Sequence, residues 1–311
     1  MNKLFKSCSI ILPLAFGLFS ACSPAAIGLD IKSSSPTVAP PVLWKVSSSE
    51  NTSYLFGTMH VSDPRVTTLH PTVAAAFTES DAVFTELKES ALELGVKVAQ
   101  LGMLPAGSKL YDVIPPEMYA KIRGYVTSKS MTMTMLDGLR PWMVGMQLQL
   151  LDAMQYMQGT ALDLQLTIRA REEDKEVGGI ETIEEQIAAL AFGNEEQQIE
   201  LLGLAIDKTI SKASNEKSDI EIMLEHYING DIDALWAFAE KELDGASALE
   251  IAAFDALLIQ RNFNMAERIA ARMKAHPQSM TFYAFGALHF AGPQGVDELL
   301  KEMGYTVERV K

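Results

Sequence analysis

Two apolar runs, each followed by a Gly-x-x-His pattern, constrain this chain more than any other feature. Residues 54–57 lead to His60, and residues 282–286 lead to His289 near the other end of the chain. Short runs rich in aromatic residues and bounded by turn formers are typical of buried strands. Each histidine then lies where a strand ends, a common place for functional side chains. The pattern predicts that the two histidines meet in one site. The alternative is that both are hydrogen-bonded core residues.

Two charged residues stand in apolar surroundings. Glu86 lies near the end of a strand-like run over residues 82–87, and Arg261 lies in an apolar helical stretch. A buried carboxylate is costly unless it has a partner or a cation, so Glu86 is a candidate site residue. The alternative places Glu86 just past the strand end, in water beside Lys88. Arg261 is poorly placed unless it faces a cleft.

The N-terminus has the pattern of an export signal. Lys3 and Lys6 precede an apolar segment, residues 10–19, which is too short to span a bilayer as a permanent helix. Small residues then precede Cys22, and this junction resembles a bacterial lipobox, which implies cleavage before Cys22 and lipidation of its thiol. Ser23 follows, which favours an outer-membrane anchor. The alternative is an ordinary cleaved signal peptide in which Cys22 is incidental.

These features predict three segments. Residues 1–21 form the signal peptide, residues 22–41 a Ser/Pro-rich tether, and residues 42–311 one folded domain. A hydrophobic content of 48% and a charged content of 21% are those of a globular protein. The two cysteines of the chain, Cys8 and Cys22, leave no disulfide in the mature domain, and any metal site there must use histidines and carboxylates.

The charge balance excludes one class of partner. The formal net charge is −14, and it becomes −16 when Lys3 and Lys6 are removed with the signal peptide. Nucleic-acid binding depends on Lys and Arg neutralising phosphates, so we expect no nucleic-acid partner. An acidic chain is also repelled by anionic lipid, so its contact with the membrane would depend on the lipid anchor on Cys22.

The periodicity predicts an α+β fold. Strand patterns lie at both ends of the chain, in residues 43–46, 53–57, 82–87, 282–289 and 305–310, and helical patterns dominate between them. The expected architecture is a mixed central sheet built from N- and C-terminal strands, with a large helical insertion and flanking helices. Thr182 and Glu185 form a capping-box pattern after a short strand near Gly178.

The motifs together resemble the TraB/GumN family, which includes the Tiki-type metalloproteases and is more distantly related in fold to erythromycin-esterase-like proteins. The resemblance runs over residues 42–310. The segments that carry it are residues 54–60, 84–87, 139–142, 179–186, 257–262, 285–292 and 299–307. Each segment is short, but their order and spacing make the combination specific.

The resemblance implies a hydrolytic site. His60, His289 and Glu86 match the family's two Gly-x-x-His motifs and its glutamate, and they would bind Mn²⁺, Co²⁺ or Zn²⁺. The metal would polarise water for attack on an acyl carbon, in a peptide bond or a small acyl substrate. Arg261 matches the family's arginine and would stabilise the oxyanion or hold a substrate carboxylate. The implied location is the bacterial cell envelope, at the outer membrane facing the periplasm.

Other roles and readings stay open at this point. Glu181 is a candidate second acid or base, although an ordinary helix-start glutamate explains it equally well. Asp63 is a loop cap that would orient His60. A metal-independent hydrolase would use one histidine as general base, oriented by Glu86. A non-catalytic lipoprotein would use the same histidines to bind a peptide or another ligand. Oligomeric state is not predicted.

Overall fold

A mixed six-stranded sheet lies at the centre of the structure, a computed structural model that describes residues 40–211 and 217–310. The sheet has the order β4-β3-β5-β2-β1-β6. Its strands are β1 Leu43–Ser47, β2 Thr52–Thr58, β3 Ala82–Thr85, β4 Glu176–Gly179, β5 Thr281–Gly286 and β6 Thr306–Arg309. The predicted signal peptide, the lipidation site Cys22 and the tether before residue 40 lie outside the described residues.

The two ends of the chain meet in the middle of the sheet. β1 and β2 form the predicted antiparallel hairpin, and β6 pairs with β1 at the edge. β2 and β5 run parallel to each other, and every residue of β5 is buried. Strands covered on both faces are expected to be apolar along their whole length, as β5 is. The predicted strand over residues 282–289 ends earlier, at Gly286.

Helices cover the sheet and fill the segment between β3 and β5. They are α1 Pro64–Thr67, α2 Pro71–Glu79, α3 Ala91–Gly102, α4 Leu110–Val113, α5 Pro116–Ser128, α6 Pro141–Ala153, α7 Leu162–Glu172, α8 Ile183–Leu190, α9 Glu195–Ser211, α10 Asp219–Ile228, α11 Ile232–Leu243, α12 Ala248–Phe254, α13 Gln260–Ala275 and α14 Val296–Glu302. A π-helical turn, Asp255–Ile259, joins α12 to α13. The predicted capping box begins α8: Thr182 accepts from the Glu185 N–H, and the Glu185 carboxylate accepts from the Thr182 N–H.

The fold class is α+β, as predicted. One strand, β4, comes from inside the largely helical stretch. It pairs with β3 in parallel and extends the sheet at that edge. The helical insertion also has a hydrophobic cluster of its own, to which α4, α5, α6 and α9 contribute residues such as Leu110, Ile122, Leu148 and Leu202. Within residues 40–211 and 217–310, no helix combines the length and the apolar character needed to cross a membrane.

Candidate active site

Four neighbouring parallel strands end at one edge of the sheet, and a candidate site residue follows each of them. Glu181 follows β4, Glu86 follows β3 directly, His289 follows β5, and His60 follows β2. The carboxyl ends of parallel strands converge, so residues separated by more than 200 positions become neighbours. His289 does not end a strand, since it lies in a 3₁₀ turn, Ala287–Phe290, that follows β5.

Glu86 is the centre of this group. Its Oε1 lies 3.4 Å from Nε2 of His60 and 4.0 Å from Nε2 of His289, and it accepts a 2.9 Å hydrogen bond from the N–H of Gly286. Glu86 is only 6% exposed, so the alternative that placed it in water is wrong. The position directly after β3 points the carboxylate at both histidines.

The second oxygen of Glu86 binds a different set of partners. Oε2 accepts from Nη2 of Arg261 at 2.8 Å and from Nε2 of Gln186 at 2.7 Å. Burial opposes ionisation of Glu86, but Arg261 and the neighbouring histidines outweigh it and hold the pKa of this carboxyl well below its usual range. Glu86 is therefore ionised at neutral pH.

Arg261 lies between two buried carboxylates. Its Nε donates to Glu181 at 2.9 Å, its Nη2 donates to Glu86 and to Glu181, and its Nη1 donates to the carbonyl of Leu257 at 3.1 Å. The pKa of Arg261 is raised, because the two carboxylates outweigh the effect of burial. Four of the five N–H donors of Arg261 thus have acceptors within the protein, so the geometry favours a role in orienting Glu86 over direct contact with an oxyanion. Glu181 is 6% exposed and accepts hydrogen bonds from Arg261, a role that an ordinary helix-start glutamate would not have.

His60 is backed by a carboxylate that sequence reasoning missed. Its Nδ1 lies 2.6 Å from Oδ2 of Asp163, near the start of α7, and the other oxygen of Asp163 accepts from the hydroxyl of Thr58. Burial lowers the pKa of His60, but Asp163 and Glu86 together outweigh it and raise this pKa to about 10. Asp63 does not orient His60: it caps α1 and pairs with Arg65.

His289 is backed by a neutral amide. Its Nδ1 lies 2.5 Å from Oδ1 of Asn262, the residue after Arg261. Asn262 in turn donates through Nδ2 to the carbonyl of Gln294 at 2.8 Å. Burial and the nearby Arg261 guanidinium lower the pKa of His289 to about 3, so this imidazole is neutral at neutral pH. The pKa of His60 is thus raised, whereas the pKa of His289 is lowered.

The donor atoms fit a divalent metal in kind. Nε2 of His60 and Nε2 of His289 are buried and have no hydrogen-bond partner among residues 40–211 and 217–310, and both lie near Oε1 of Glu86. Buried polar atoms are rarely left unpaired, which points to a group that would bind there. Two imidazoles and a carboxylate suit Zn²⁺, Mn²⁺ or Co²⁺. As the side chains stand, no group of three or more His, Cys, Asp or Glu in the described residues has closed on a common point.

A small cavity of about 30 Å³ adjoins His60. It is lined on one side by the ends of β2 and β5 and on the other by Met223 and Tyr227 of α10 and Leu235 of α11. Tyr227 donates a 2.9 Å hydrogen bond to the carbonyl of Gly57, which holds α10 against the site. A cavity of this size holds only one or two water molecules. The space beside His60 is therefore too small for a peptide unit in this structure.

Three residues that contact the site residues, Asp163, Gln186 and Asn262, were only weakly indicated by the sequence. Asp163 looks like any acidic residue in the first turn of a helix, and nothing in its neighbourhood links it to His60, 103 positions away. Gln186 and Asn262 lie inside segments that carried the family resemblance, but the spacing assigned them no role. Each acts through a long-range hydrogen bond that only the fold creates.

Comparisons with known proteins identify the family of the chain. The model of the TraB/PrgY/gumN family matches residues 42–309. Similar curated proteins include metalloprotease TIKI1 of Danio rerio, 27% identical over 86% of this chain and 62% of that protein, and metalloprotease TIKI homolog of Nematostella vectensis, 25% identical over 86% and 67%. An uncharacterized protein of Treponema pallidum (strain Nichols) is 24% identical over 84% and 80%. No solved structure shows significant similarity to the chain.

Proposed function

Because the chain belongs to the TraB/PrgY/gumN family, we propose that it is a metal-dependent hydrolase that cleaves peptide bonds. The family includes relatives named as metalloproteases, so a protease is a possible activity of the family. The chain spans 62% of the length of metalloprotease TIKI1 of Danio rerio, so the activity of the whole protein is a proposal.

One observation carries the proposal. Two buried imidazole nitrogens that lack hydrogen-bond partners in the described part of the chain lie 3.4 and 4.0 Å from the same carboxylate oxygen. A core that only packed these histidines would leave Nε2 of His289 desolvated without a partner, at a cost of about 1–3 kcal/mol. It would leave Nε2 of His60 with only its 3.4 Å contact to Glu86. His60, Glu86 and His289 would hold the ion.

The charge of the buried group supports the same conclusion. Glu86 and Glu181 are buried beside the guanidinium of Arg261, and the partly exposed Asp163 contacts His60. Metal binding requires both imidazoles to be neutral, and these four groups then carry two more negative than positive charges. Buried charges are costly unless they are balanced, and a divalent ion balances two. The raised pKa of His60 has the same electrostatic cause, because a proton on the imidazole partly neutralises the same negative charge.

The chain's own residues would then have distinct tasks. A bound divalent ion would supply Lewis acidity for a water molecule and a carbonyl group. Arg261 and Gln186 hold Glu86 in place through its Oε2, which leaves Oε1 facing the histidines. Helix α10 keeps bulk water out through Met223 and Tyr227. A peptide can reach these groups only if this cover moves, since the cavity is far smaller than a peptide unit.

Metal content tests the ligand set. We expect the purified protein, loaded in turn with Mn²⁺, Co²⁺ and Zn²⁺ and then desalted, to retain about one ion per chain with at least one of these metals. His60→Ala and His289→Ala should each abolish retention, whereas His276→Ala, which alters an exposed histidine after α13, should not. Elemental analysis gives the count. If the wild-type protein retains none of the three ions, the metal-dependent function is wrong.

Peptide cleavage tests the reaction. The metal-loaded protein, incubated with a mixed peptide library and analysed by mass spectrometry, should give new termini that disappear with chelator and in Glu86→Gln. Ligand retention without cleavage under every metal would instead indicate a non-catalytic binding protein.

A second candidate is a hydrolase that needs no metal. The 2.6 Å contact between Asp163 and His60 supports it, because a carboxylate commonly orients a catalytic histidine. The raised pKa of His60 weighs against it, since a histidine protonated at neutral pH is a poor general base. Turnover that persists after exhaustive chelation would favour this candidate.

We also propose that the protein is held at the cell envelope by a lipid on Cys22. The basis is the N-terminal sequence alone. Expression in a bacterium fed a radiolabelled fatty acid should label the wild-type chain and leave Cys22→Ala unlabelled. Equal labelling of both would contradict a lipid anchor at this residue.

A further inference from the structure

The side-chain amide of Asn262 has only one orientation that satisfies its two contacts. Nδ2 donates to the carbonyl of Gln294 at 2.8 Å, and a carbonyl oxygen can only accept. The opposite end of the amide, Oδ1, therefore faces His289. Asn262 is fully buried, so no solvent competes for either atom. The hydrogen-bond network thus assigns the two ends of the amide.

This orientation determines where His289 carries its proton. An amide oxygen accepts, so Nδ1 of His289 must be the donor across the 2.5 Å contact. A neutral imidazole carries one N–H, so a neutral His289 has its proton on Nδ1 and a free lone pair on Nε2. That atom is the buried, unpartnered nitrogen that lies near Glu86.

We propose that Asn262 is a positioning residue that holds His289 in the Nδ1–H tautomer and so keeps Nε2 available as a donor atom. The tautomer assignment depends on hydrogen bonds alone, and its consequence for metal affinity rests on the function proposed above. A neutral amide suits this task, because it fixes the tautomer and adds no further negative charge to a group already rich in carboxylates.

The position of Asn262 in the sequence couples this task to that of Arg261. The two residues are consecutive on α13, directly after the π-helical turn Asp255–Ile259, and they serve different partners in the same site. Arg261 holds the carboxylate Glu86, and Asn262 holds the imidazole of His289. π-Helical turns are frequent at functional sites. One turn of helix thus orients two of the three proposed ligands.

Nitrogen-15 NMR of the metal-free, histidine-labelled protein tests the tautomer. Wild-type His289 should show a protonated Nδ1 and an unprotonated Nε2 at pH 7. Asn262→Leu, which keeps the volume and removes the acceptor, should shift the ring toward the Nε2–H form. Asn262→Asp, which keeps an acceptor oxygen, should retain the wild-type tautomer. Asn51→Leu is the matched control, because Asn51 is a buried asparagine bonded to the carbonyls of His276 and Ser279, away from His289.

Zn²⁺ affinity, measured by competition with a chromophoric chelator, is the second readout. Asn262→Leu should weaken binding about 10- to 100-fold, the usual effect of removing a partner of a metal-binding histidine. Asn51→Leu should leave the affinity unchanged. An Nε2–H tautomer in the wild-type protein overturns the proposal even if no variant folds, and so does an Nδ1–H tautomer that persists in Asn262→Leu. Absence of Zn²⁺ binding in a wild-type protein with the expected tautomer would refute the metal function and leave the tautomer assignment standing.

Discussion

The backbone N–H of Gly286 donates a 2.9 Å hydrogen bond to Oε1 of Glu86, which joins the end of β5 to the residue after β3. A Cβ atom at Gly286 would lie 3.4 Å from that oxygen, 3.5 Å from the ring of His289 and 4.0 Å from Nε2 of His60. The glycine of the second Gly-x-x-His motif therefore keeps open the space between the three proposed ligands.

We predict that Gly286→Ala abolishes metal retention with little loss of stability. The added methyl makes ordinary van der Waals contacts, so the free energy of unfolding should change by less than about 1 kcal/mol. The methyl would nevertheless fill part of the space between the three proposed ligands. Protein interiors have little spare volume, so little room would remain there for an ion. Elemental analysis and urea denaturation measure the two effects. Gly95→Ala, at an open position of α3, is the control and should retain metal. Normal metal content in Gly286→Ala would contradict this use of the space.

The glycine of the first motif has a different task. A Cβ at Gly57 would lie 2.4 Å from Cγ1 of Val42 and 3.1 Å from the backbone of Ala287, so it would force packed groups apart. We predict that Gly57→Ala lowers the free energy of unfolding by about 1–3 kcal/mol. Gly124→Ala, at an exposed position of α5 with open space around it, should instead raise it by about 0.5–1 kcal/mol. Chemical denaturation compares the two, and equal effects would refute the packing argument.

Removal of the guanidinium of Arg261 should be severe. Arg261→Met leaves Glu86 and Glu181 buried without their cation, so we expect a loss of about 3–5 kcal/mol in the free energy of unfolding. The double variant Arg261→Met with Glu181→Gln should recover part of this loss, because it lacks one of the two buried carboxylates left without their cation. Arg268→Met breaks an ion pair with Glu185 whose side chains are each 41% exposed, and it should cost no more than about 1 kcal/mol. Similar losses for the two single variants would contradict the buried-charge argument.

Asp297 gives a pH-dependent prediction away from the site. Burial raises the pKa of its carboxyl from 3.8 to about 6, and its Oδ1 has no hydrogen-bond partner among the residues that the structure describes. A raised pKa means that the folded state binds the proton more tightly. This contribution to stability is complete below pH 3.8 and is lost as the pH rises through about 6. The amide introduced by Asp297→Asn cannot titrate, so the stability of this variant relative to wild type should increase between about pH 4 and pH 8, by up to about 3 kcal/mol.

Urea denaturation of Asp297→Asn and wild type at about pH 4, 6 and 8 measures this difference. Glu302→Gln, which alters an exposed carboxylate at the end of the same helix, is the control and should show no such pH-dependent gain. A stability difference between Asp297→Asn and wild type that is constant across the three pH values would show that the buried carboxyl does not titrate in this range.

Local features were predictable from the sequence because their causes are local. The apolar runs that predict strands form β2, β3 and β5, and the Thr182 capping box begins α8. The family resemblance drew attention to His60, Glu86, Arg261 and His289, and the structure places all four together. The α+β class followed from the strand patterns at the two ends of the chain, since both can be buried only in a shared sheet.

The partners of the site residues depended on the tertiary structure. Nothing in the sequence indicates that Asp163 reaches His60 or that Asn262 reaches His289, because each contact exists only once four parallel strands share an edge and α7 and α13 pack against it. The tertiary structure also determined the partners of Arg261, which donates to Glu86 and Glu181. Residue type and spacing determined which groups are available for chemistry. Strand order and helix packing decided which atoms face each other, because hydrogen bonds act only over distances that the folded chain sets.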